Sequence, residues 1–311
     1  MAIPTSKPLN LSTVQTEYGG TNPIGMSEYR GKGNAPASGP IDLWGDFNGT
    51  SDTASIEIRV YGGTGGFSNG GDGGYTQFKA DVAPGTTFNL YAGGAGEDGS
   101  FYIGGSGGSC SYVTSGSTLI AVAGGGGGAG AINSFFGGSG GGSNNAGGSA
   151  STGSAGGSGG NGGSADNTNA RYNGQNGYSW TDSSNPGKGG YGSGAYGGVD
   201  GGENPGNKGE GGFAYSGEPY VDQGGGGGGG GYGGGGGGCI SDNNGQGEAG
   251  GGGGGFRLTS SVTGITVTGG GGSNGVNSGH GYIQVYNGGS LVTTITATSR
   301  TGASGTYTVP S

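Results

Sequence analysis

The amino-acid sequence predicts a mainly β and irregular fold with almost no α-helix, in which packed polyglycine II helices are closed by β-strands. Three observations support this prediction. Glycine supplies 96 of the 311 residues, whereas average usage would supply about 22. Between the glycine runs lie 17 Tyr, 9 Phe and 2 Trp, which need a partner to pack against. Short segments with the alternating, β-branched or aromatic composition of strands flank the runs.

The glycine runs are too numerous for an ordinary globular core. The longest of them are residues 124–128, 224–231, 233–238 and 250–255. Glycine loses more backbone entropy on folding than any other residue and buries no side chain, so such runs are either disordered or held by something other than a hydrophobic core. A flexible linker would contain little besides glycine and serine, and the interspersed aromatic residues therefore favour a folded arrangement. Collagen is excluded because there are only 10 prolines and no sustained glycine at every third position.

Short stretches with a period of three indicate how the glycine segments could be held. Residues 62–67, 104–109 and 156–164 each repeat two glycines and one other residue. A left-handed extended helix has three residues per turn and no internal hydrogen bonds, so its amides must bond to neighbouring chains. We expect interior helices of pure glycine and edge helices that carry one side chain per turn, with a polyglycine core over residues 124–255.

The strand segments surround this core. Their composition predicts strands at residues 54–61, 86–92, 118–123, 264–268 and 281–286. They lie in two β-rich flanks, 46–123 and 256–288, which together with the core form a domain over residues 46–288. Tyr75, Phe88 and Tyr91 lie within strand segments and are expected in the core.

The C-terminal residues 289–311 form a separate strand or tail. Residues 304–310 have strand character. We expect this strand to pair beside residues 54–61 and to cover an exposed sheet edge, either in the same subunit or in a neighbouring one.

The order of the motifs resembles a known domain. A strand at 56–61 is followed by GGTGG, then by APGTTFNLYAGG, CSYVTSGSTLIAVAGGGGGAG and finally GHGYIQVYN. This order resembles the glycine-rich sandwich domain, which occurs in the adhesins at the tips of T-even-like phage tail fibres and in the extracellular region of receptors of the anaplastic lymphoma kinase type. The resemblance covers residues 53–287 and implies a polyglycine II sandwich.

The first 45 residues distinguish between these two settings. LNLSTVQTEYGG at 9–20, followed by PIGMSEYRGKG at 23–33, resembles a paired motif that is common in phage tail and virion proteins. The sequence departs from that motif at Asn10 and Gly25, where serine is usual. The resemblance implies that residues 1–45 form a virion attachment segment and that the protein is located in the virion tail.

Composition argues against several classes of protein. A net charge of −9 with only 10 Lys and Arg gives no basic patch for nucleic acid. No apolar run approaches the roughly 20 residues that span a bilayer, and the first residues lack the charged-then-apolar pattern of a signal peptide, so assembly in the host cytoplasm without membrane insertion is expected. Cys110 and Cys239 are expected to be free thiols in a reducing compartment, although their pairing stays open.

Catalysis has little support in the sequence. The lone histidine, His280, has no nearby Ser, Cys or Asp that would suggest a nucleophile triad. One histidine and two distant cysteines do not form a zinc site, and no phosphate-binding loop is present. The acidic residues considered as a catalytic carboxylate pair lie in loop-like stretches, where such residues are usually solvated turn residues, and they are Glu97, Asp98, Glu203, Glu210, Glu218 and Asp222. We therefore expect no enzymatic activity, no metal and no cofactor.

The segments that interrupt the glycine runs are the candidate recognition loops, and they are residues 97–103, 131–136, 165–186, 212–223 and 239–249. They combine aromatic residues with Asn, Asp, Ser and Gln, the mixture that antibody loops use. In the resembling adhesins, loops between glycine helices at the far end carry receptor specificity. By that resemblance, the candidate receptor contacts are Tyr172, Tyr178, Trp180, Tyr191, Tyr196, Phe213, Tyr215 and Tyr220. The alternative is that these aromatic residues seal the glycine bundle.

The functional prediction is a non-enzymatic phage virion protein at a tail fibre or baseplate that recognises a host-surface receptor. Its expected partners are other virion tail proteins and a host glycan or outer-membrane protein, bound multivalently because the virion carries many copies. One alternative is a purely structural tail or capsid decoration protein. A depolymerase is a weaker alternative.

Overall fold

A computed structural model describes the β-rich parts of the chain and most of the glycine segments. The described residues are 11–19, 29–30, 35, 38, 41, 53–99, 104–131, 135–151, 154, 156–158, 163–164, 170–172, 176, 225–238, 240–241 and 248–310. One short helix, α1, spans Leu11–Tyr18. The strands are β1 Ala54–Tyr61, β2 Gly73–Val82, β3 Thr87–Ala92, β4 Ser111–Ser115, β5 Thr118–Ala123, β6 Ala170–Tyr172, β7 Ile240–Ser241, β8 Phe256–Arg257, β9 Ile265–Asn277, β10 Tyr282–Asn287, β11 Ser290–Thr296 and β12 Ala303–Thr308.

The strands form two five-stranded antiparallel sheets. Sheet 1 has the order β11-β10-β1-β2-β9, and sheet 2 has the order β12-β3-β4-β5-β8. A short ribbon of β6 and β7 is separate from both sheets. The predicted mainly β architecture with almost no helix is confirmed.

The hydrophobic core lies between the two sheets. In β1, every second residue is fully buried, and these inward residues pack in one cluster with Phe88 and Leu90 of sheet 2. Each such side chain contributes about 1.5–3 kcal/mol through burial. The alternation follows from the period of two in a strand, which places one face of each sheet against the other.

Two buried hydroxyl groups join the sheets where the glycine segments begin. The Thr76 hydroxyl donates to the Val122 carbonyl oxygen at 2.7 Å, and the Ser111 hydroxyl donates to the Tyr61 carbonyl oxygen at 2.6 Å. Both side chains are fully buried. The bonds therefore connect β2 with β5 and β4 with β1, in addition to the apolar contacts.

The C-terminal strand pairs with a different partner from the one predicted. β12 lies antiparallel to β3, with Tyr307 opposite Phe88. The predicted pairing beside residues 54–61 is wrong, because both edges of β1 are already occupied by β10 and β2. Within this chain, β12 instead forms an edge of sheet 2.

The other strand predictions agree with the structure in most respects. All five predicted strands exist, but β9 continues to Asn277 through four consecutive glycines. Phe88 and Tyr91 are buried as predicted. Tyr75 is only half-buried, because it alternates along β2 with the inward-facing Thr76 and therefore lies on the outer face of sheet 1.

Beyond one end of the sheets, glycine segments pack directly against one another. Residues 124–129 form the central segment, and every N–H and C=O group in it takes part in a backbone hydrogen bond. Its partners are the six segments 62–66, 70–74, 104–109, 137–142, 225–230 and 250–255. We call these seven segments the glycine lattice.

The hydrogen bonds of the central segment repeat every three residues. The N–H groups of Gly124 and Gly127 donate to one neighbouring segment, at Gly141 and Gly138. Gly125 and Gly128 donate to segment 225–230, and Gly126 and Ala129 donate to segment 62–66. Successive amides therefore point in three directions in turn.

The close approach of the segments explains why the lattice is built from glycine. A Cβ added at Gly124, Gly127 or Gly253 would lie closer than 3.0 Å to backbone atoms of a neighbouring segment. Backbone atoms cannot move aside as the end of a side chain can. Any residue larger than glycine at these positions would therefore separate the segments and break their hydrogen bonds.

The lattice continues the sheets. β1 runs directly into segment 62–66, segment 70–74 leads into β2, and β5 runs directly into segment 124–129. The chain therefore passes from strand to glycine segment and back again. The described part of the chain contains no helix with the length and apolar character needed to cross a lipid bilayer.

Candidate functional site

The end of the lattice remote from the sheets, which we call the distal end, brings together residues from distant parts of the chain. The N–H of Ala129 donates to the Gly66 carbonyl, and the N–H of Gly105 donates to the Ala129 carbonyl. The N–H of Gly227 in turn donates to the Gly105 carbonyl at 3.0 Å. Four glycine segments therefore end side by side.

Several predicted recognition loops begin or end at the distal end. Gly104, Ala131 and Gly225 lie one or two residues beyond the hydrogen-bonded residues just described. Glu248 accepts a backbone hydrogen bond from Gly226 at 2.7 Å. The described residues that flank predicted loops 97–103, 131–136, 212–223 and 239–249 are thus neighbours in space.

One of the eight predicted receptor contacts falls within the described backbone. Tyr172 ends β6 and pairs with Ile240 of β7. Ile240 lies two residues after Gly238 in the sequence. The N–H of Gly238 donates to the Gly226 carbonyl at the distal end. The other seven predicted contacts lie outside the described residues, and they are Tyr178, Trp180, Tyr191, Tyr196, Phe213, Tyr215 and Tyr220.

Phe136 is an exposed aromatic residue near the distal end. Its side chain is 61% exposed. Its N–H donates to the Ser151 hydroxyl at 3.0 Å, and its carbonyl accepts from the Ser151 N–H. These two bonds fix the backbone of Phe136 while its ring faces solvent, within a segment that the sequence predicts as a recognition loop.

The outer face of sheet 1 carries a row of three tyrosines across β10, β1 and β2. The ring of Tyr61 stacks on that of Tyr282 at 4.1 Å between centroids and lies 4.8 Å from that of Tyr75. Burial and the neighbouring Tyr282 raise the pKa of Tyr61 to about 12. The phenol of Tyr61 is therefore neutral at physiological pH and can donate a hydrogen bond.

A charged network lies beside this row. The Arg59 guanidinium donates to the Glu57 carboxylate at 2.5 Å and lies 4.4 Å from the centroid of the Tyr286 ring. Partial burial acts to raise the pKa of Glu57, but hydrogen bonds from Arg59 and Gln77 outweigh it and hold the pKa below its ordinary value. The Lys79 ammonium lies 3.4 Å from the same carboxylate, so the network carries one net positive charge, and its exposed ion pairs contribute little to stability.

The outer face of sheet 2 contains an open groove with a volume of about 430 Å³. Its side chains come from three neighbouring strands, β12, β3 and β4, and they are Asn89, Tyr91, Tyr112, Thr114, Ser304 and Thr306. Strand pairing places them in two rows, since Ser304 and Tyr112 both lie opposite Tyr91. Thr306 and Thr114 likewise lie opposite Asn89.

The aromatic end of this groove is rigid. The rings of Tyr91 and Tyr112 are 5.1 Å apart, and the Tyr91 hydroxyl donates to the Thr301 carbonyl at 3.0 Å. Burial, together with the neighbouring Cys110, raises the pKa of Tyr112 well above its ordinary value. This end of the groove is therefore uncharged at physiological pH.

Two of the residues considered for catalysis or metal binding, His280 and Cys110, lie in the described part of the chain. The Ala95 N–H donates to His280 Nδ1 at 2.9 Å, so His280 fixes a loop. Cys110 is a buried free thiol, whereas Cys239 lies outside the described residues. Among the residues that the structure describes, no three His, Cys, Asp or Glu side chains gather as a metal-binding group.

The two outer sheet faces are features that the sequence reasoning missed. Their polar and aromatic residues alternate with the core residues of the same strands, as Arg59 and Tyr61 alternate with Val60. The alternation was visible in the sequence, but the pairing that joins separate strands into one surface was not.

A comparison of the sequence with protein-family descriptions and with curated proteins finds no match.

Proposed function

We propose that this protein is a non-enzymatic phage virion protein, mounted on a tail fibre or baseplate, and that it recognises a host-surface receptor through loops at the distal end of a polyglycine II sandwich. Residues 1–45 would attach it to other virion tail proteins. The receptor would be a glycan or an outer-membrane protein.

The observation that carries the proposal is the hydrogen bonding of segment 124–129. Its N–H groups donate to three neighbouring segments in turn and its C=O groups accept from three others, and this period of three is the pattern expected of polyglycine II helices in a packed bundle. None of the glycines 124–128 has a positive φ, in agreement with a left-handed extended helix. Together with the order of motifs, this pattern supports a sandwich of the tail-fibre adhesin type.

The position of the loop ends supports recognition at the distal end. The lattice is rigid because its backbone groups bond to one another, and the described ends of several aromatic-rich loops gather on one side of it. Rigid elements that present variable loops are a common arrangement for binding sites. Many copies on a virion would convert weak individual sites into strong attachment.

The second candidate function is a purely structural tail or capsid decoration protein. The outer face of sheet 1, with its tyrosine row and the adjacent Glu57–Arg59 ion pair, favours this candidate, because such a surface could pack against another virion subunit. The distal loops would then face other subunits and not the host.

Competition for host adsorption tests the first candidate. Purified full-length protein is added to host cells before the phage, and the fraction of adsorbed phage is measured. We expect the wild-type protein and the control Lys79→Ala, an exposed position on sheet 1, to reduce adsorption. The Trp180→Ala protein lacks one of the predicted receptor contacts and should therefore reduce phage adsorption less than the wild-type protein does. No competition at a saturating dose would contradict adhesion and favour the structural role.

A further inference from the structure

The groove on the outer face of sheet 2 has a lining that selects a particular kind of ligand. Its side chains offer hydroxyl groups, one amide and parts of two aromatic rings, and none of the residues that line it is Asp, Glu, Lys, Arg or His. A phosphate, a sulfate or an acidic sugar would therefore lose its hydration shell without meeting a counter-charge. The lining favours a neutral ligand that has both hydroxyl groups and apolar surface.

The shape of the groove agrees with the same class of ligand. The volume of about 430 Å³ lies in the range of small-molecule sites. The short side chains Ser304 and Thr306 are exposed, whereas the rings of Tyr91 and Tyr112 are largely buried and border one end. Short polar side chains beside two aromatic rings suit a pyranose, whose ring carries hydroxyl groups at its rim and C–H groups on its faces.

The groove is held in shape before any ligand arrives. The Asn89 amide donates weakly to the Thr114 hydroxyl at 3.4 Å, and the Tyr91 hydroxyl is bonded to the Thr301 carbonyl. All three strands that line it pair through backbone hydrogen bonds. Little conformational entropy would be lost on binding, which favours a measurable affinity for a small ligand.

We propose that this groove is a binding site for a neutral saccharide, in which the exposed Asn89, Ser304 and Thr306 bond the sugar hydroxyls, while the small exposed parts of the buried Tyr91 and Tyr112 rings contact its C–H groups. The site lies on sheet 2, apart from the distal loops. It does not depend on the proposed virion function, because it rests only on the geometry of β3, β4 and β12.

The test is saturation-transfer NMR on the full-length protein with methyl glycosides of glucose, galactose, mannose and N-acetylglucosamine, and with glucuronic acid as the acidic counterpart. At least one neutral glycoside should receive saturation, and the acid should not. Thr306→Trp fills the groove and should abolish the signal. The matched control Thr308→Trp lies on the same face of β12 but outside the groove, and it should retain the signal.

Asn89→Ala gives a graded version of the same test. Loss of one or two hydrogen bonds should weaken binding about tenfold, measured by titration of chemical shifts. Melting temperatures of all three variants should match the wild type, since the three positions are exposed. The proposal is overturned if no neutral glycoside binds at saturating concentration, if the acid binds better, or if Thr306→Trp retains the signal and so places the sugar elsewhere.

Discussion

Cys110 shows how burial next to the lattice controls the chemistry of a single residue. Its side chain is fully buried and packs with Tyr91, Tyr112 and Val122. Burial raises the pKa of the Cys110 thiol from an ordinary value of 9.0 to about 12. The thiol is therefore inert in the folded protein, because the thiolate is the reactive form.

This shift predicts a loss of stability in alkaline solution. Below about pH 9 the thiol keeps its proton in both states. Between pH 9 and about 12 the unfolded chain loses the proton while the folded protein retains it, so the free energy of unfolding falls as pH rises. The contribution of Cys110 to this fall should be up to about 4 kcal/mol over this range, since each pKa unit corresponds to about 1.4 kcal/mol.

Urea denaturation at pH 8 and at pH 11 measures the effect. In a Cys239→Ser background, Cys110→Ala should lower stability at pH 8 but should lose less stability than its parent on going to pH 11. The raised pKa of Tyr61 acts in the same direction in both proteins and cancels in the comparison, whereas the pKa of Tyr112 is raised partly by Cys110 and adds to the difference between them. Equal losses in the two proteins would show that the Cys110 thiol ionises alike in the folded and unfolded states.

At the scale of the element, the glycine segments differ in how much space surrounds each glycine. In the lattice and its neighbouring segment 233–238, a side chain would collide with backbone, as at Gly235 beside Gly251. At Gly269 and Gly271 of β9, by contrast, a Cβ would meet nothing within 4 Å. Glycine is therefore required in the first case and merely present in the second.

Paired valine substitutions test this difference. Gly235→Val should prevent folding or lower the free energy of unfolding by about 4 kcal/mol or more, because two backbones must separate. Gly227→Val should act similarly, since Gly227 bonds on both sides, to Gly105 and Gly128. Gly271→Val should change stability by less than about 0.5 kcal/mol. Chemical denaturation of soluble protein compares them, and tolerance of valine at position 235 would mean that the segments are not in contact.

The elements were predictable from the sequence where local composition decides them. Alternation of apolar residues predicts β1, β3 and β5, because a period of two is a property of the strand itself. The extension of β9 through residues 269–272 was not predictable, since glycine carries no strand preference and the pairing with β2 holds it there. The partner of β12 was likewise not predictable, because strand pairing across more than 200 residues depends on which edges remain free.

The candidate sites also differ in how far the sequence predicts them. The aromatic and polar composition of the loops predicts recognition segments, and the lattice brings the ends of several of them together. The groove of sheet 2 combines Asn89, Thr114 and Thr306, which are far apart in the sequence. Each of these residues alone is unremarkable for a strand surface, so only the register of the strands reveals the site.

At the scale of the whole molecule, the C-terminal residues hold the two sheets together. β11 is an edge strand of sheet 1, and β12 is an edge strand of sheet 2. Between them the chain crosses from one sheet to the other past the buried Ala297, and beyond β12 the buried Val309 joins the core. One short stretch of chain therefore covers the same side of both sheets.

Deletion of residues 291–311 should therefore lower the melting temperature markedly or prevent folding. The deletion removes the outer strand of each sheet and exposes β10 and β3 as new edges, which favours aggregation. Thermal melting followed by circular dichroism, with size-exclusion chromatography, measures both effects. The control Leu291→Thr changes a residue that is 51% exposed and should melt like the wild type. An unchanged melting temperature after the deletion would contradict this role.

The central segment 124–129 has a mechanical consequence. A β-sheet resists force mainly in the plane of its hydrogen bonds, whereas this segment is bonded to neighbours on all sides. A sideways load on any one neighbour is therefore shared among six interfaces, and no direction across the bundle is weak. Such a body can be thin and still resist bending and shear, with a stiffness that comes from its backbone and leaves the surface side chains free to vary.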